Sequence, residues 1–402
     1  MNITNLMTLD QKTDVTGTLC CNDSTQPRVP HVKIHLPLIE TATQTEEWIP
    51  TGFQSNVSSS EKPPPFERKI TNNIDSYSMF EDTMSTSNNH KDFRNFRFIP
   101  IKKGTLSKYL IALRPWSFTA SITPVALGSC LAYKTQGVFN ISIFFAAIVT
   151  ALCVHAAGNL VNTYFDFVKG IDNKKSDDRT LVDNILLPND VVTLGAMFYV
   201  AGCVGFMLLN IMSPAKMEHL ALIYFCGLSS SFFYTGGLGL KYIALGDLLI
   251  VLTFGPLTVV FSYLSQTGQL SLTPLIYAIP LALNTEAILH SNNTRDMESD
   301  RLAGALTVAI ILGKTGSYCL FCFLLFVPYI VYIIVGLNYS PWMLLPAISI
   351  FSVFALEKDF RRGNLDTVPH QVARLNLIMG SLYIAAIYLA HPDTLPSLTH
   401  LN

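Results

Sequence analysis

Charge is scarce in this chain. Only 14% of its 402 residues are Asp, Glu, Lys or Arg, and the net charge is −1. A chain without basic excess lacks the electrostatic footprint of a nucleic-acid binder, so no nucleic-acid partner is expected. Cysteine is sparse too: the eight cysteines fall at 20, 21, 130, 153, 203, 226, 319 and 322, with no zinc-ligand spacing among them. Most lie in apolar runs, and Cys319 and Cys322 read as buried helix. The start of the chain has no apolar core behind a basic stretch, which argues against a signal peptide. Arginine is nearly missing there: Arg28 is the only one in the first 60 residues, while Asp10, Asp14, Glu40, Glu46 and Glu47 are acidic. That balance fits a mitochondrial transit peptide poorly.

What is abundant is apolar. Hydrophobic residues make up 50% of the chain and the mean hydropathy is +0.37, values of a membrane protein whose main partner is the lipid bilayer. Residues 1–104 stand apart. They are rich in Ser, Thr, Asn and Pro, include Pro63-Pro64-Pro65, and read as a disordered cytosolic tail. The organisation expected is this tail, a transmembrane domain over 105–391 and a short tail over 392–402.

Nine hydrophobic segments are expected, near 107–133, 138–167, 190–212, 217–235, 243–265, 272–292, 304–336, 340–357 and 372–391. All read as helices, because lipid leaves the backbone no other open-ended way to satisfy its hydrogen bonds. The seventh should begin with a short helix over 304–313 and break at Gly313-Lys314-Thr315-Gly316. The fold class expected is an all-α polytopic membrane protein. Loops after even-numbered segments carry Lys169, Lys174, Lys175, Arg179, Lys241, Arg295, Arg301, Lys358, Arg361 and Arg362; the others offer only Lys134 and Lys216. Lys102, Lys103 and Lys108 lie with the rich loops, and that side should be cytosolic.

Two polar stripes interrupt the oil. Asn159, Asn162 and Asp166 form the first, and Asn293, Asp296 and Asp300 the second. Each steps by three and then four residues, which on a helix aligns the side chains on one face. Each closes a hydrophobic segment on the cytosolic side, where carboxylates are costly and usually functional. Facing each other, the stripes would make an oxygen-rich site suited to Mg2+ and a diphosphate. A bland reading, a polar seam gluing helices, suits one stripe better than two matched ones. His155, one turn before Asn159, either lines a cavity or packs by hydrogen bonding. Glu286, His290 and Asn293 share a helical spacing and read either as acceptor-site lining or as an internal polar pair.

The sequences Asn162-Thr-Tyr-Phe-Asp166 and Asp296-Met-Glu-Ser-Asp300 resemble the paired Asp-rich motifs of the UbiA superfamily of intramembrane prenyltransferases, and the resemblance covers about residues 105–391. Arg114-Pro115-Trp116-Ser117, Tyr234-Thr235-Gly236-Gly237 and the run from Lys241 to Asp247 are similar to the quinone-modifying MenA-like branch. The long stretch from Asn159 to Asp183 is similar to its animal vitamin K2 synthases. A second Asp expected at 170 is replaced by Gly170, as in that branch, and Asp172 is the first candidate to take its metal role, ahead of Asp177 and Asp178.

The resemblance implies a bundle of nine transmembrane helices of UbiA type and a Mg2+-dependent prenyltransferase. Asp166, Asp172, Asp296 and Asp300 would hold metal. Lys241, Arg179 and Arg295 would add positive charge at the diphosphate, with Asn159, Asn162 and Asn293 around the substrate. Tyr164, Phe165 and Tyr234 would face an allylic cation. The implied donor is geranylgeranyl diphosphate and the implied acceptor a naphthoquinol, menadiol, giving menaquinone-4. 4-Hydroxybenzoate and haem are alternative acceptors, and a non-catalytic isoprenoid- or sterol-sensing scaffold, or a transporter, is the alternative class. Charge gathered at one face favours the enzyme over a transporter. The resemblance also implies a sterol-synthesis reductase as partner, and an endoplasmic reticulum or Golgi membrane, with a mitochondrial membrane as the alternative.

Overall fold

A computed structural model describes residues 105–172, 176 and 178–396, so the expected tail, Lys174, Lys175 and Asp177 lie outside the described residues. Among the described residues there is no strand; an isolated bridge joins Ile243 to Leu306. Everything else regular is helical.

The first expected segment is two helices, α1 (Thr105–Leu113) and α2 (Thr119–Gln136), joined by a 3-10 turn over Pro115–Phe118. Pro115 forces the division. Proline has no N–H to give and crowds the residue before it out of the α region. Arg114 takes a left-handed conformation, φ 50°, ψ 59°, and its side chain turns inward. Next comes α3 (Ile141–Val168), whose first turn is capped by the Asn140 side chain accepting from the backbone N–H groups of Ser142 and Ile143. α4 (Pro188–Met212) and α5 (Met217–Phe233) follow.

A tight turn rich in glycine leads out of α5. A side chain on Gly236 would collide with the ring of Phe165 and the carbonyl of Phe232, which explains a residue with no Cβ there. The turn delivers Lys241 and Tyr242 on a 3-10 turn (Leu240–Tyr242). α6 (Gly246–Leu252) then runs through a π turn at Thr253–Leu257, which contains Pro256, into α7 (Thr258–Thr267). α8 (Thr273–Arg295) and the short α9 (Met297–Leu302) carry the second stripe. α10 (Val308–Asn338) breaks at Gly313, φ 64°, where the break was expected. The eighth segment is a 3-10 run over Pro341–Ser349 followed by α11 (Ile350–Arg361), since Pro341 and Pro346 deny it regular α bonding. α12 (Val368–Leu389) closes the fold.

Five helical stretches are long and apolar enough to cross a membrane: Ile141–Val168, Pro188–Met212, Gly246–Thr267, Val308–Asn338 and Val368–Leu389. The remaining expected segments are shorter, broken or more polar, so five spans are clear among the described residues and the count of nine is not confirmed. Outward faces are apolar: Ile211, Leu222 and Phe351 are all more than 70% exposed. Inward, small residues let helices approach. Gly128 meets the carbonyl of Val259, and Gly255 meets Ala282. Polar seams add to the packing, Ser129 with Ser262 at 2.9 Å and Asn376 donating to Thr285 at 2.8 Å. Cys319, expected to be buried, lies on an exposed flank of α10, because a lipid-facing helix surface is as apolar as a core and hydrophobicity alone does not separate them.

Candidate active site

The first stripe stays on one uninterrupted helix, so its side chains align. Asp166, in the last turn of α3, is buried and held on three sides. Asn162 donates to its Oδ2 at 2.7 Å, Lys241 Nζ to the same oxygen at 2.6 Å, and the Tyr242 hydroxyl to Oδ1 at 2.8 Å. Arg114 extends the chain of contacts. It donates to Asn162 Oδ1 at 3.2 Å and forms an ion pair with Asp178. Asp178 in turn accepts from the Thr163 hydroxyl at 2.5 Å and the Thr180 backbone N–H at 2.9 Å. Burial works against both charges of that pair. Proximity outweighs it: Asp178, Asp172 and Asp166 keep Arg114 charged, and Arg114 with its hydrogen-bonding neighbours holds Asp178 below the usual carboxylate range.

The second stripe does not stay on one helix, which corrects the expected alignment. The backbone leaves the helix at Asp296, φ −92°, ψ 7°, and a new short helix starts. Its three members therefore meet different partners. Asn293 donates to Asp247 Oδ2 at 3.5 Å. Asp296 is gripped by the neighbouring Arg295, whose Nε and a terminal nitrogen each reach one carboxylate oxygen at 2.8 Å. Asp300 is buried, and among the described residues its carboxylate accepts no hydrogen bond.

The stripes nevertheless come together through charge. Burial works against the Lys241 ammonium, but Asp166 and Asp300, one from each stripe, outweigh it and raise its affinity for a proton. Burial, opposed by Lys241 and reinforced by Asp296 and Asp166, pushes Asp300 up to about 6. Burial and Asp166 push Asp172 up to about 7 against the pull of Arg114. Buried carboxylates crowded in this way are short of positive charge.

A cavity of about 230 Å³ lies alongside. Arg114, Asn159, Asn162, Tyr234, Lys241, Asn292 and Asn293 line it, together with apolar groups such as Val154, Leu228, Ile250, Phe254 and Ile288. The motif aspartates are not among its lining residues. Asp166 stands one hydrogen bond behind two that are, Asn162 and Lys241. His155 also lines the cavity, held between the Ser117 hydroxyl (3.2 Å) and the Ser121 hydroxyl (2.8 Å). Asn159 is turned to the Leu113 carbonyl and the Ser117 hydroxyl.

Besides the aspartates and Arg295, two further expected site residues do not line the cavity. Arg179 is exposed and pairs with Asp183 at 2.9 Å, one helical turn away, where water and not substrate competes for it. Tyr164 packs against a satellite core that includes Leu160 and Leu181, edge-on to Phe165. Arg295 lies near the site, but its guanidinium is already committed to Asp296 and Asn292. Conversely, the spacing of the stripes gave no sign of Arg114, Tyr242, Asp247 or Asn292. Arg114 had a local signal, since the residue before a proline has to leave the helix.

For a metal ion the arrangement is suggestive and incomplete. Among the described residues, no three His, Cys, Asp or Glu side chains form a ready ligand set. Yet the groups at hand are oxygen donors, of the kind Mg2+ takes, and Asp300 is a buried carboxylate with no hydrogen-bonding partner. The donor set fits a hard cation entering with phosphate oxygens of its own.

Residues 121–380 match the sequence model of the UbiA prenyltransferase family. The chain is 57% identical over 298 residues to a UbiA prenyltransferase domain-containing protein 1 homolog of Drosophila melanogaster, covering 73% of this chain and 83% of the relative. It is 56% identical over 292 residues to UbiA prenyltransferase domain-containing protein 1 of Homo sapiens, covering 73% of this chain and 86% of that protein. Its fold is similar to that of a UbiA homolog from Aeropyrum pernix, with a TM-score of 0.55, 15% identity, and coverage of 68% of this chain and 98% of the other. It is also similar to a UbiA homolog from Archaeoglobus fulgidus solved with GPP and Mg2+, with a TM-score of 0.53, 16% identity, and coverage of 70% and 98%. At those identities the likeness is one of fold.

Proposed function

The chain belongs to the UbiA prenyltransferase family, and from that premise we propose that it moves a geranylgeranyl group from its diphosphate, with Mg2+, onto reduced menadione, giving menaquinone-4. The observation that carries this reading is the position of Lys241. It lines a largely apolar cavity and donates to Asp166 at 2.6 Å, with Asp300 near enough to reinforce its charge.

The roles follow from the geometry. Lys241 and Arg114 would meet the diphosphate at the cavity wall, and Asn162, fixed between Arg114 and Asp166, would hydrogen-bond beside them. Asp166 keeps Lys241 pointed at that wall. Asp172, Asp296 and Asp300 would hold Mg2+, which when bound supplies positive charge to the departing diphosphate. The apolar lining would take the isoprenoid and exclude water from the allylic cation. Phe254 and Tyr234 offer ring faces and edges along the same wall. No unspent cation at the cavity remains for an acceptor carboxylate, which favours a quinol over a hydroxybenzoate. The site is read as cytosolic from the loop charge bias, and the family resemblance points to an endoplasmic reticulum or Golgi membrane.

The test is purified protein with geranylgeranyl diphosphate, Mg2+ and a panel of acceptors, products weighed by mass spectrometry. Reduced menadione should be prenylated, oxidised menadione and 4-hydroxybenzoate should not. Efficient prenylation of 4-hydroxybenzoate with none of reduced menadione would overturn the acceptor assignment.

A further inference from the structure

One cluster of buried polar groups is not used by the donor site. Glu286, on α8, is 3% exposed, and among the described residues no N–H or hydroxyl donor reaches its carboxyl oxygens. Its hydrogen-bonding neighbour is another carboxyl, that of Asp247 near the start of α6, whose buried Oδ1 likewise meets no such donor. His290, one turn beyond Glu286, is fully buried. Its Nε2 meets the Ser317 carbonyl at 3.0 Å and so must carry a hydrogen, leaving Nδ1 facing Asp247 Oδ1 at 3.7 Å.

Leaving this many polar atoms unpaired in a core is costly, and such clusters are kept where they serve a purpose. The neighbouring elements do not neutralise it. α12 contributes Asn376 and α2 contributes Thr123, bonded to each other and, through Asn376, to Thr285, and neither is charged. A metal ion is a poor occupant, since these groups do not close into a ligand set. What two adjacent carboxyl groups and an imidazole handle best is a proton.

The cluster also has a route to the cavity. Asn293, a lining residue, donates to Asp247. Tyr234, another lining residue, lays its ring edge against Gly246, the residue before Asp247. We propose that Glu286 and Asp247, reached through Tyr234, form the proton-accepting relay that activates the aromatic acceptor. The inference rests on the prenyl-transfer reading above. The hydroxyl proton of the acceptor passes through Tyr234 to a carboxylate of the pair as the ring carbon bonds to C1 of the prenyl group and the C1–O bond to diphosphate breaks. The ring is left as a keto form; it regains aromaticity when the relay returns the proton to oxygen and the ring hydrogen is lost to the released diphosphate. Glu286 and Asp247 touch no reacting atom, so they act through Tyr234.

The test uses the full chain in nanodiscs with geranylgeranyl diphosphate, Mg2+ and reduced menadione. Glu286→Gln should lower kcat by about 100-fold, the range of a lost general base, leave the donor KM unchanged, and abolish the acid limb of the pH–rate profile. Glu286→Asp should restore the limb. Donor ionisation is read separately, by scrambling of an 18O label from the bridging to the non-bridging position of the diphosphate, and it should persist in Glu286→Gln. Tyr234→Phe, which keeps both carboxyls, should lose the same limb and serves if Glu286→Gln does not fold. An unaltered pH profile in Glu286→Gln or Tyr234→Phe overturns the relay, and so does loss of label scrambling together with product. If the wild-type protein prenylates a different aromatic, the naphthoquinol reading fails, and the same measurements on that acceptor still decide the relay.

Discussion

Asp166→Asn is the most informative single change, because it separates what the carboxylate does for the fold from what it does for the reaction. In the native protein, Asp166 and Lys241 face each other at 2.6 Å, with side-chain exposures of 4% and 10%. Asparagine keeps the shape and can still meet Asn162 and Tyr242, but it leaves an ammonium buried without a counter-charge. Breaking a buried pair from one side costs about 3–5 kcal/mol. Asp300 remains near Lys241, so the cost should fall toward the lower end, about 3 kcal/mol. Activity should fall by about 100-fold or more, the range for losing one fixed charge-stabilising group. The double variant Asp166→Asn/Lys241→Met removes both charges. It should recover most of the stability, since buried pairs replaced by apolar groups are often neutral or better, and none of the activity. The assay is unfolding followed by intrinsic fluorescence in nanodiscs, beside product formation at saturating donor. A single variant as stable as wild type, or a double variant that regains turnover, would refute the assignment of Lys241 to the diphosphate and of Asp166 to Lys241.

Asp300→Ala should abolish turnover with little change in stability, since among the described residues its carboxylate accepts no hydrogen bond and Asp166 still pairs with Lys241; a large fall in the unfolding midpoint would contradict this. Arg114→Ala and Arg179→Ala should differ sharply, because one lines the cavity in a buried ion pair and the other sits exposed beside Asp183: steady-state kinetics should show about a tenfold or larger rise in donor KM for the first and under about twofold change for the second. Cysteines introduced at Lys216 and Arg361 should label from opposite sides of sealed vesicles, and labelling from one side would break the topology.

How much of this was legible beforehand follows from where each residue sits. Asn159, Asn162 and Asp166 could be aligned from spacing because α3 has nothing to interrupt it over Ile141–Val168. The same arithmetic misaligned Asn293, Asp296 and Asp300, since the helix ends at Arg295 and no proline or glycine there announces it. Lys241 could be placed near the site from its loop, but its partner could not, as that contact spans 75 positions. Arg179 is read as a diphosphate partner because it lies in a basic loop, and Arg114, inside an apolar segment, is not. Only tertiary packing distinguishes them, with Arg114 drawn inward by the break at Pro115 and by Asp178. Hydropathy alone does not mark α8 as a clear span for a related reason: it trades apolar residues for the buried polar groups of the site.

The long reach between Asp166 and Lys241 has a meaning for how the protein is made. Helices of a membrane protein enter lipid in order and associate afterwards. α3 is finished well before Lys241 has been synthesised, so during that interval the Asp166 carboxylate lacks the ammonium that buries it. Its place in the last turn of α3, at the end of the segment and not its middle, lets it stay wet until the turn at Leu240–Tyr242 arrives. Closure of the ion pair is then a late event in biogenesis, and a chain arrested before residue 241 would carry an acidic helix end with no route to burial. The reaction centre therefore cannot form until both α3 and the Leu240–Tyr242 turn have been made.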